Sequence, residues 1–381
     1  MNNINIKASK LAASIQKVVG VINKATPSIP ELAHILLNYT NGTLNMTTTD
    51  LEVQLSTSIE NLGAGGDFVT TIPGTSAFEI IKSLGDEQIE IKVSESSVLI
   101  KSPHSSFKLR SLSSNNFPLF DNTGYDTSFV TTQNNLQKLL NKAAVCIGQR
   151  AIGRKWMNGI LLRAAPKTLV AVATDGNRLA KSQISIDKAS ILEGDYLIPT
   201  KAVQEIQRII KDDGNVKISL SDHMAVFEIG STTLVTKLIA STFPNYSNAS
   251  QMQNLHEGKN VILDKNILKT ALQRVLIIAK DSFYMSRIDL ENNTLTVSGV
   301  NLVGELAAEA ITIEKVDYKT SIGFNVKFLL DAVSAGQGEM VSLSLNDNGK
   351  GSLITDPSDP ETEYVIMPLN DLPPREAINK T

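Results

Sequence analysis

Lysine and arginine side chains in this sequence are placed to bind an anion. Segment 134–155 carries apolar residues at i, i+3, i+4, i+7, i+8 and i+11, which is the spacing of an amphipathic helix. The same segment has no Asp or Glu, and its cations are Lys138, Lys142, Arg150, Arg154 and Lys155. Because solvated helices usually mix both signs of charge, this face indicates an anionic partner; a helix that merely lacks acids is the alternative.

Catalytic chemistry has little support in the sequence. The four histidines are scattered, and none forms an HExxH motif or a metal-ligand cluster with Cys146, the single cysteine. No phosphate-binding G-x-x-x-x-G-K-[ST] loop is present. We therefore predict a protein without cofactor or metal that is not an enzyme. The alternative is a repeat-built β-rich enzyme acting on a polysaccharide, for which cationic helices have the wrong sign.

Length and composition limit the class of protein. A chain of 381 residues is expected to form two or three domains. Its apolar fraction of 42% and charged fraction of 20% are typical of a soluble globular protein. The first residues do not resemble a signal peptide, and no apolar run is long enough to span a membrane. With one cysteine, these features predict a cytoplasmic protein.

A unit of roughly 125 residues occurs three times along the chain. Strand-to-helix junctions recur 126 residues apart at Pro73, Pro199 and Asn325. Polar residues between strand-like segments recur at Asp50, Asp175 and Asn301. The repeat predicts an α+β protein of three modules, each with two helices and antiparallel sheets. We place the modules at 1–127, 128–256 and 257–370.

Charge is unevenly distributed over this repeat. The opening helical segments 8–25, 134–155 and 264–281 together hold twelve Lys or Arg and two acids. The rest of the chain holds 24 basic and 37 acidic residues, so its net charge is −13. If the modules are joined in a curve, equivalent helices face one concave surface. A cationic concave surface suits the phosphate backbone of duplex DNA, bound without reading its sequence.

The triplicated unit and three segments, VATDGNRLA, TFPNY and YVIMPL, resemble the beta subunit family of bacterial DNA polymerase III, the replication sliding clamps. The resemblance covers the chain to about Leu369. It implies a DNA-clamp fold: a head-to-tail homodimer of six modules in a closed ring, with helices on the inner side and sheets outside. It also implies a processivity factor of DNA replication. Such a ring encircles duplex DNA and tethers the polymerase III catalytic subunit, other polymerases and repair proteins, and a clamp-loader ATPase opens it.

The cationic helices and the resemblance together give the candidate site residues. Predicted DNA-binding residues are Lys10, Lys17, Lys24, Lys138, Lys142, Gln149, Arg150, Arg154, Lys155, Lys201, Arg208, Lys265 and Lys269. The resemblance implies a cleft for short linear peptides between the second and third modules, formed by Met157, Thr174, Gly176, Asn177, Arg178, Leu179, Pro244, Asn248, Val365, Met367, Pro368 and Leu369. Apolar side chains that can repack, Met above all, suit varied peptide anchors. A plain turn is the alternative interpretation of the Asp-Gly pair.

Two further hypotheses concern dimer closure and the role of the single tryptophan. The apolar run at Ile277 and Ile278 exceeds what one helix stripe needs, so we expect both to help close the dimer; burial in the module's own core is the alternative. Trp156, the single tryptophan, either stacks on a base or sugar edge or packs beside Met157.

The sequence departs from its relatives at several positions. Asn177 stands where many relatives have His, Asn248 and Ala249 replace a common Arg-Val pair, and Asn370 replaces an Arg. The chain then continues through residues 371–381, whose two prolines and polar composition predict a disordered tail. A sharper hypothesis is that Leu372 competes with partners for the cleft.

Overall fold

The computed structural model describes residues 2–22, 28–63, 65–121, 123–148, 152–186, 193–211, 213–246, 255, 259–346 and 351–370. Its helices are numbered here as α1 Ala8–Val18, α2 Gly74–Ser83, α3 Gln133–Ala144, α4 Thr200–Ile209, α5 Lys265–Ala279 and α6 Val326–Ala335. Among the described residues, none of the helices is long and apolar enough to cross a membrane.

The strands fall into three sets of eight. The first set is β1 Asn3–Lys7, β2 His34–Thr40, β3 Thr43–Thr49, β4 Val53–Ile59, β5 Phe68–Pro73, β6 Gln88–Ser94, β7 Ser97–Lys101 and β8 Ser106–Arg110. The second set is β9 Thr127–Thr132, β10 Gly159–Ala165, β11 Thr168–Thr174, β12 Arg178–Ser185, β13 Gly194–Pro199, β14 Asn215–Leu220, β15 Met224–Ile229 and β16 Thr232–Lys237. The third set is β17 Lys259–Asp264, β18 Met285–Glu291, β19 Thr294–Val300, β20 Leu306–Thr312, β21 Thr320–Asn325, β22 Met340–Leu345, β23 Ser352–Asp356 and β24 Asp359–Ile366.

The chain folds into two compact units. The first comprises Met1–Gln137 and Ile186–Ile239, and the second comprises Lys138–Ser185 and Ala240–Thr381. The division falls within the second repeat and within helix α3. The module boundaries taken from the sequence therefore stay a prediction.

In the first unit, one antiparallel sheet has the strand order β1-β6-β7-β8 and another the order β5-β2-β3-β4-β16-β15-β14-β9. The second sheet is continuous because β4 pairs with β16, with Thr57 opposite Thr232. Helix α1 buries Leu11, Ile15 and Val18 and packs against α2 and β4. The alternating apolar residues of the strands thus gain a helical cover on one side.

The second unit repeats this arrangement. One antiparallel sheet has the order β20-β19-β18-β21, and strands β10-β11-β12-β24-β23-β22-β17 follow one another in a second sheet. Continuity again comes from a single pairing, β12 with β24, in which Leu179 lies opposite Val365. Helix α5 buries Leu268, Leu272 and Val275 and packs against α6 and β20.

Landmarks of the sequence repeat mark equivalent places in the structure. Pro73, Pro199 and Asn325 each stand directly before a helix, α2, α4 and α6 respectively. Each of the three polar turn residues accepts backbone N–H bonds through its side-chain oxygen between the third and fourth strands of its set: Asp50, Asp175 and Asn301. The predicted α+β fold of three repeated modules is confirmed.

Helix α1 is shorter than the predicted segment 8–25. It ends at Val18 and continues as a single 3₁₀ turn, Val19–Val21. Consecutive β-branched residues followed by Gly20 favour this early end. The carbonyl oxygens of the last turn, at Gln16 and Lys17, are bonded instead by the Arg208 guanidinium at 2.6 Å each.

Candidate functional site

The turn between β11 and β12 is held by its own side chains. Asp175 Oδ1 accepts the N–H groups of Asn177 at 3.0 Å and Arg178 at 3.1 Å. Thr174 Oγ1 donates to the Arg178 carbonyl at 2.6 Å and accepts the Gly176 N–H at 3.0 Å. These bonds hold the backbone at four of the predicted cleft positions, Thr174, Gly176, Asn177 and Arg178.

Glycine avoids backbone strain at the tip of the turn. Gly176 has a φ of +92°, and a Cβ there would lie 2.9 Å from Met157 Cε. Met157 is itself buried, and its carbonyl accepts the Gly148 N–H at 2.8 Å. Two predicted cleft residues distant in sequence, Met157 and Gly176, are thus packed together.

Arg178 lies beneath the turn and is 9% exposed. Its Nε donates to Asp175 Oδ2 at 2.9 Å, its Nη1 donates to Asp331 Oδ2 on α6 at 2.7 Å, and its guanidinium lies 4.2 Å from the Phe328 ring centroid. Burial lowers the pKa of Arg178, but the Asp331 hydrogen bond, nearby Cys146 and Asp175 outweigh it and leave this pKa raised. The side chain therefore ties the turn to α6.

The end of the described chain lies against this turn. The Met367 N–H donates to the Asn177 carbonyl at 2.8 Å, and the Leu369 N–H donates to the Gly323 carbonyl at 2.8 Å. Met367 is 43% exposed, and Pro368 and Leu369 are partly exposed. Together with the Leu179 and Val365 pair, these residues put thioether and aliphatic side chains beside an exposed turn.

Pro244 follows Phe243, which belongs to a cluster of aromatic side chains. Phe243 packs edge-on against Trp156 with ring centroids 5.5 Å apart, and Trp156 directly precedes Met157. The partly buried Trp156 thus lies in an aromatic cluster, which Tyr246 extends. Asn248 is outside the described residues, as are residues 371–381 with Leu372.

Sequence reasoning missed three residues that contact or support the predicted cleft residues. Asp331 and Phe328 hold Arg178 from α6. A Cβ at Gly351 would lie 2.6 Å from Val365 Cγ1 and 3.4 Å from Met367 Sδ, so the absence of a side chain lets β24 lie close. Only Asp331 had a usable signal, because it stands 126 residues after Glu205, an acid at the same point of the repeat.

The predicted DNA-binding cations fall into two groups. Five of them make no side-chain hydrogen bond or ion pair within the described ranges, and of these Lys10, Arg154 and Lys155 are exposed while Lys138 and Lys269 are partly exposed. Arg154 and Lys155 follow Gly153, which has a φ of +82°, in an exposed segment before β10. Charges without a local partner are the ones available to phosphate.

The other group already bonds within its own unit. Lys142 Nζ lies 2.5 Å from Asp359 Oδ2, and Lys17 Nζ lies 3.2 Å from Ser231 Oγ. The remaining bonds of this kind are Lys201 to Asp50 and to the Val21 carbonyl, Arg208 to Glu205, and Lys265 to the Gly336 carbonyl. Burial, and then the Lys211 charge, lower the pKa of Lys17. Lys24, Gln149 and Arg150 are outside the described residues.

Large apolar side chains are exposed in the third repeat. Ile277, near the end of α5, is 74% exposed, and Ile278 is partly buried. Phe283, Leu302 and Val303 are exposed as well. Such exposure is typical of a surface that meets a partner.

Each repeat matches one part of a known family. The matches carry the descriptions DNA polymerase III beta subunit, N-terminal domain, over residues 2–121; central domain, over residues 131–245; and C-terminal domain, over residues 256–370. A beta sliding clamp from Pseudomonas aeruginosa is 30% identical over 371 residues, covering 96% of this chain and 99% of the relative. One from Chlamydia trachomatis is 30% identical over 366 residues, covering 96% and 86%.

Solved structures agree with these matches. A DNA polymerase sliding clamp from Pseudomonas aeruginosa, solved with a ligand, superposes with a TM-score of 0.90 at 29% identity, covering 97% of this chain and all of that chain. A sliding clamp from the same organism bound to griselimycin also gives 0.90 at 29% identity, covering 97% and 99%. With all three repeats matched in order, the chain belongs to the DNA polymerase III beta subunit family, the sliding clamps.

Proposed function

We propose that two copies of this chain close head to tail into a ring around duplex DNA and tether polymerases and repair proteins there. In this proposal the chain acts in the cytoplasm by binding DNA and partner proteins. It catalyses no reaction and needs no cofactor or metal. Membership of the family makes the chain a processivity factor of DNA replication. None of the comparisons supports the alternative, an enzyme acting on a polysaccharide.

One observation, the pairing of strands between repeats, supports the proposed ring most directly. The fourth strand of a repeat pairs with the eighth strand of the next repeat, as β4 does with β16 and β12 with β24. Two strands do not take part in this series of pairings: β20, the fourth strand of the third repeat, and β8, the eighth strand of the first. Both are sheet edges with no other strand beside them in the described part of the chain. Pairing β20 of one copy with β8 of another continues the series and removes exposed edges.

Charge and exposure favour the same pairing. Strand β8 carries Lys108 and Arg110 and no acid, whereas Glu305 precedes β20 and Glu309 lies within it. Opposite charges steer the two edges together. The exposed Ile277 lies near the end of α5, the helix that packs on β20, so we assign it and Ile278 to the dimer interface.

A ring explains how weak DNA contacts suffice. A closed ring needs no tight contact to stay on DNA, and cations screened by salt can centre the duplex and still let the ring slide. The exposed Arg154, Lys155 and Lys10 are the first candidates for these contacts. Partners in turn would bind the exposed apolar surface around Gly176 and Met367, where Met accommodates varied anchors.

The test is topological. Protein loaded onto nicked circular DNA should be retained, and cutting the circle once should release it, because only an encircling ring slides off an end. Native mass spectrometry should give a dimer, and the double variant Ile277→Ala, Ile278→Ala should shift it towards monomer. Equal retention on circular and linear DNA would reject the ring, and an unchanged dimer in the double variant would reject the interface assignment.

A further inference from the structure

The first helix of each repeat carries a cation at its tenth residue. Counting from the first residue of α1, α3 and α5, these cations are Lys17, Lys142 and Arg274. Each helix follows directly on the first strand of its repeat, so the three positions are structurally equivalent.

Two of these cations contact a side chain at the start of an eighth strand. Lys17 Nζ lies 3.2 Å from the hydroxyl of Ser231, the residue directly before β16. Lys142 Nζ lies 2.5 Å from the carboxylate of Asp359, the first residue of β24. In both cases the cation reaches from the first helix of one repeat to the start of the eighth strand of the next. These are the two places where a fourth and an eighth strand pair.

The third cation has no following repeat in its own chain. Arg274 Nη1 lies 3.0 Å from Glu309 Oε2 on β20, and its side chain is 62% exposed. Strand β20 is the fourth strand that still lacks an eighth strand beside it. The guanidinium is therefore held on the strand that would receive β8 of a second copy.

We propose that Arg274 crosses the subunit junction and binds the start of the partner's β8. Ser105 directly precedes β8, as Ser231 directly precedes β16, so the partner's Ser105 takes the place of Ser231. The inference rests on the proposed head-to-tail dimer and adds to it a residue that neither the cationic face nor the apolar run predicted. By the same argument, Lys17 and Lys142 each connect one repeat to the next.

The second junction suggests the experiment, because its cation binds a carboxylate, whereas Lys17 at the first junction binds a serine hydroxyl. Ser105→Asp would offer Arg274 a carboxylate at the start of the partner's β8, as Asp359 offers one to Lys142 at the start of β24. In the full-length chain, Ser105→Asp should tighten the dimer about threefold per junction, hence about tenfold in a ring with two junctions. Arg274→Gln should loosen it by a similar factor. In the Arg274→Gln background, Ser105→Asp should bring no tightening.

Dimer dissociation constants of the four proteins, measured by sedimentation at one ionic strength, form a double-mutant cycle. Lys269→Gln removes one charge from the same helix and is the matched control, which should leave the constant within twofold of the native chain. Equal tightening by Ser105→Asp in both backgrounds would overturn the proposal, because the new carboxylate would then be using another cation. A loosening by Arg274→Gln no larger than that of Lys269→Gln would overturn it too. A native chain that stays monomeric would instead reject the proposed ring and this inference with it.

Discussion

The β4–β16 junction of the first unit and the β12–β24 junction of the second are built from the same backbone bonds. At the first, the Lys237 N–H donates to the Glu52 carbonyl at 2.9 Å; at the second, the Met367 N–H donates to the Asn177 carbonyl at 2.8 Å. An aspartate closes the adjacent turn in both. These backbone bonds are equivalent at the two junctions, so we look to the side chains for different roles.

Those side chains differ at three points. Leu51, with a φ of +76°, follows Asp50 in the first turn, whereas Gly176 follows Asp175 in the second. Lys237 stands where the second junction has Met367. The Asp50 carboxylate is bound by Lys201 from α4, a cation brought in from a neighbouring element. At these positions the first junction has charged and bulky side chains, whereas the second leaves apolar groups exposed beside a glycine tip, which is the surface a peptide anchor needs.

Loss of Arg178 should have the largest effect, because this one side chain supports the second junction. Arg178→Gln leaves the Asp175 carboxylate without this cation, and it leaves Asp331 to Lys327, whose Nζ lies 3.1 Å from Asp331 Oδ2; the lost arginine side chain is only 9% exposed. Breaking such a pair costs about 3 kcal/mol. We expect the free energy of unfolding to fall by that amount and affinity for a polymerase-derived clamp-binding peptide to fall at least tenfold, as measured by urea denaturation and fluorescence anisotropy.

Arg208→Gln is the control at the first junction. Its side chain is 34% exposed and bonds Glu205 and two carbonyls, so a loss of about 1 kcal/mol is expected with peptide affinity unchanged. A peptide affinity equally reduced by both variants would mean that the two junctions do not act separately.

Exchanging the turn residues should have the next largest effect. Gly176→Leu places the first junction's side chain at a φ of +92°, where a Cβ meets Met157 Cε at 2.9 Å. The backbone strain costs about 1–2 kcal/mol, and the added side chain covers the surface beside Met367. Peptide affinity should fall about tenfold in the same anisotropy assay. Leu51→Gly, the reciprocal change, should leave it within twofold; a comparable loss there would remove the distinction between the turns.

Local patterns in the sequence were sufficient to predict the fold. They could not predict contacts between residues that are distant in the sequence. The starts of α2, α4 and α6 and the three closed turns follow from Pro73, Pro199 and Asn325 and from the recurring Asx residues, because those residue types act on their own neighbours. Arg178 is different. Its partner Asp331 lies 153 residues away, and no periodicity reports that the guanidinium points inward to α6. The resemblance placed this residue in the cleft, and only the structure gives its contacts.

A third test separates free cations from those used at the junctions. Arg154 and Lys155 are exposed, whereas Lys201 bonds Asp50 and the Val21 carbonyl. Each phosphate contact adds about 0.9 to the slope of log affinity against log salt concentration, so Arg154→Gln with Lys155→Gln should lower that slope by about two. Lys201→Gln should leave the slope unchanged. Equal slopes for all three proteins, measured on duplex DNA, would show that this exposed segment does not meet phosphate.

The smallest effect is expected at Cys146, where the two junctions are most alike. Cys146 is the fourteenth residue from the start of α3, and Val21 is the fourteenth from the start of α1; both are buried. Cys146→Val should therefore change the free energy of unfolding by less than about 1 kcal/mol, because the volume is nearly conserved and no polar bond is lost.

The thiol itself reports whether the end of α3 stays closed. Burial raises the pKa of Cys146 from 9.0 to about 12, so at pH 8 the folded chain holds about a thousandfold less thiolate than the unfolded chain. Stability from the neutral thiol is complete below about pH 9 and declines as the pH rises towards 12. Labelling by a thiol reagent at pH 8 should be slower than in urea by at least that factor. Fast labelling would mean that α3 opens often, and the second junction would then differ from the first in mobility as well as in charge.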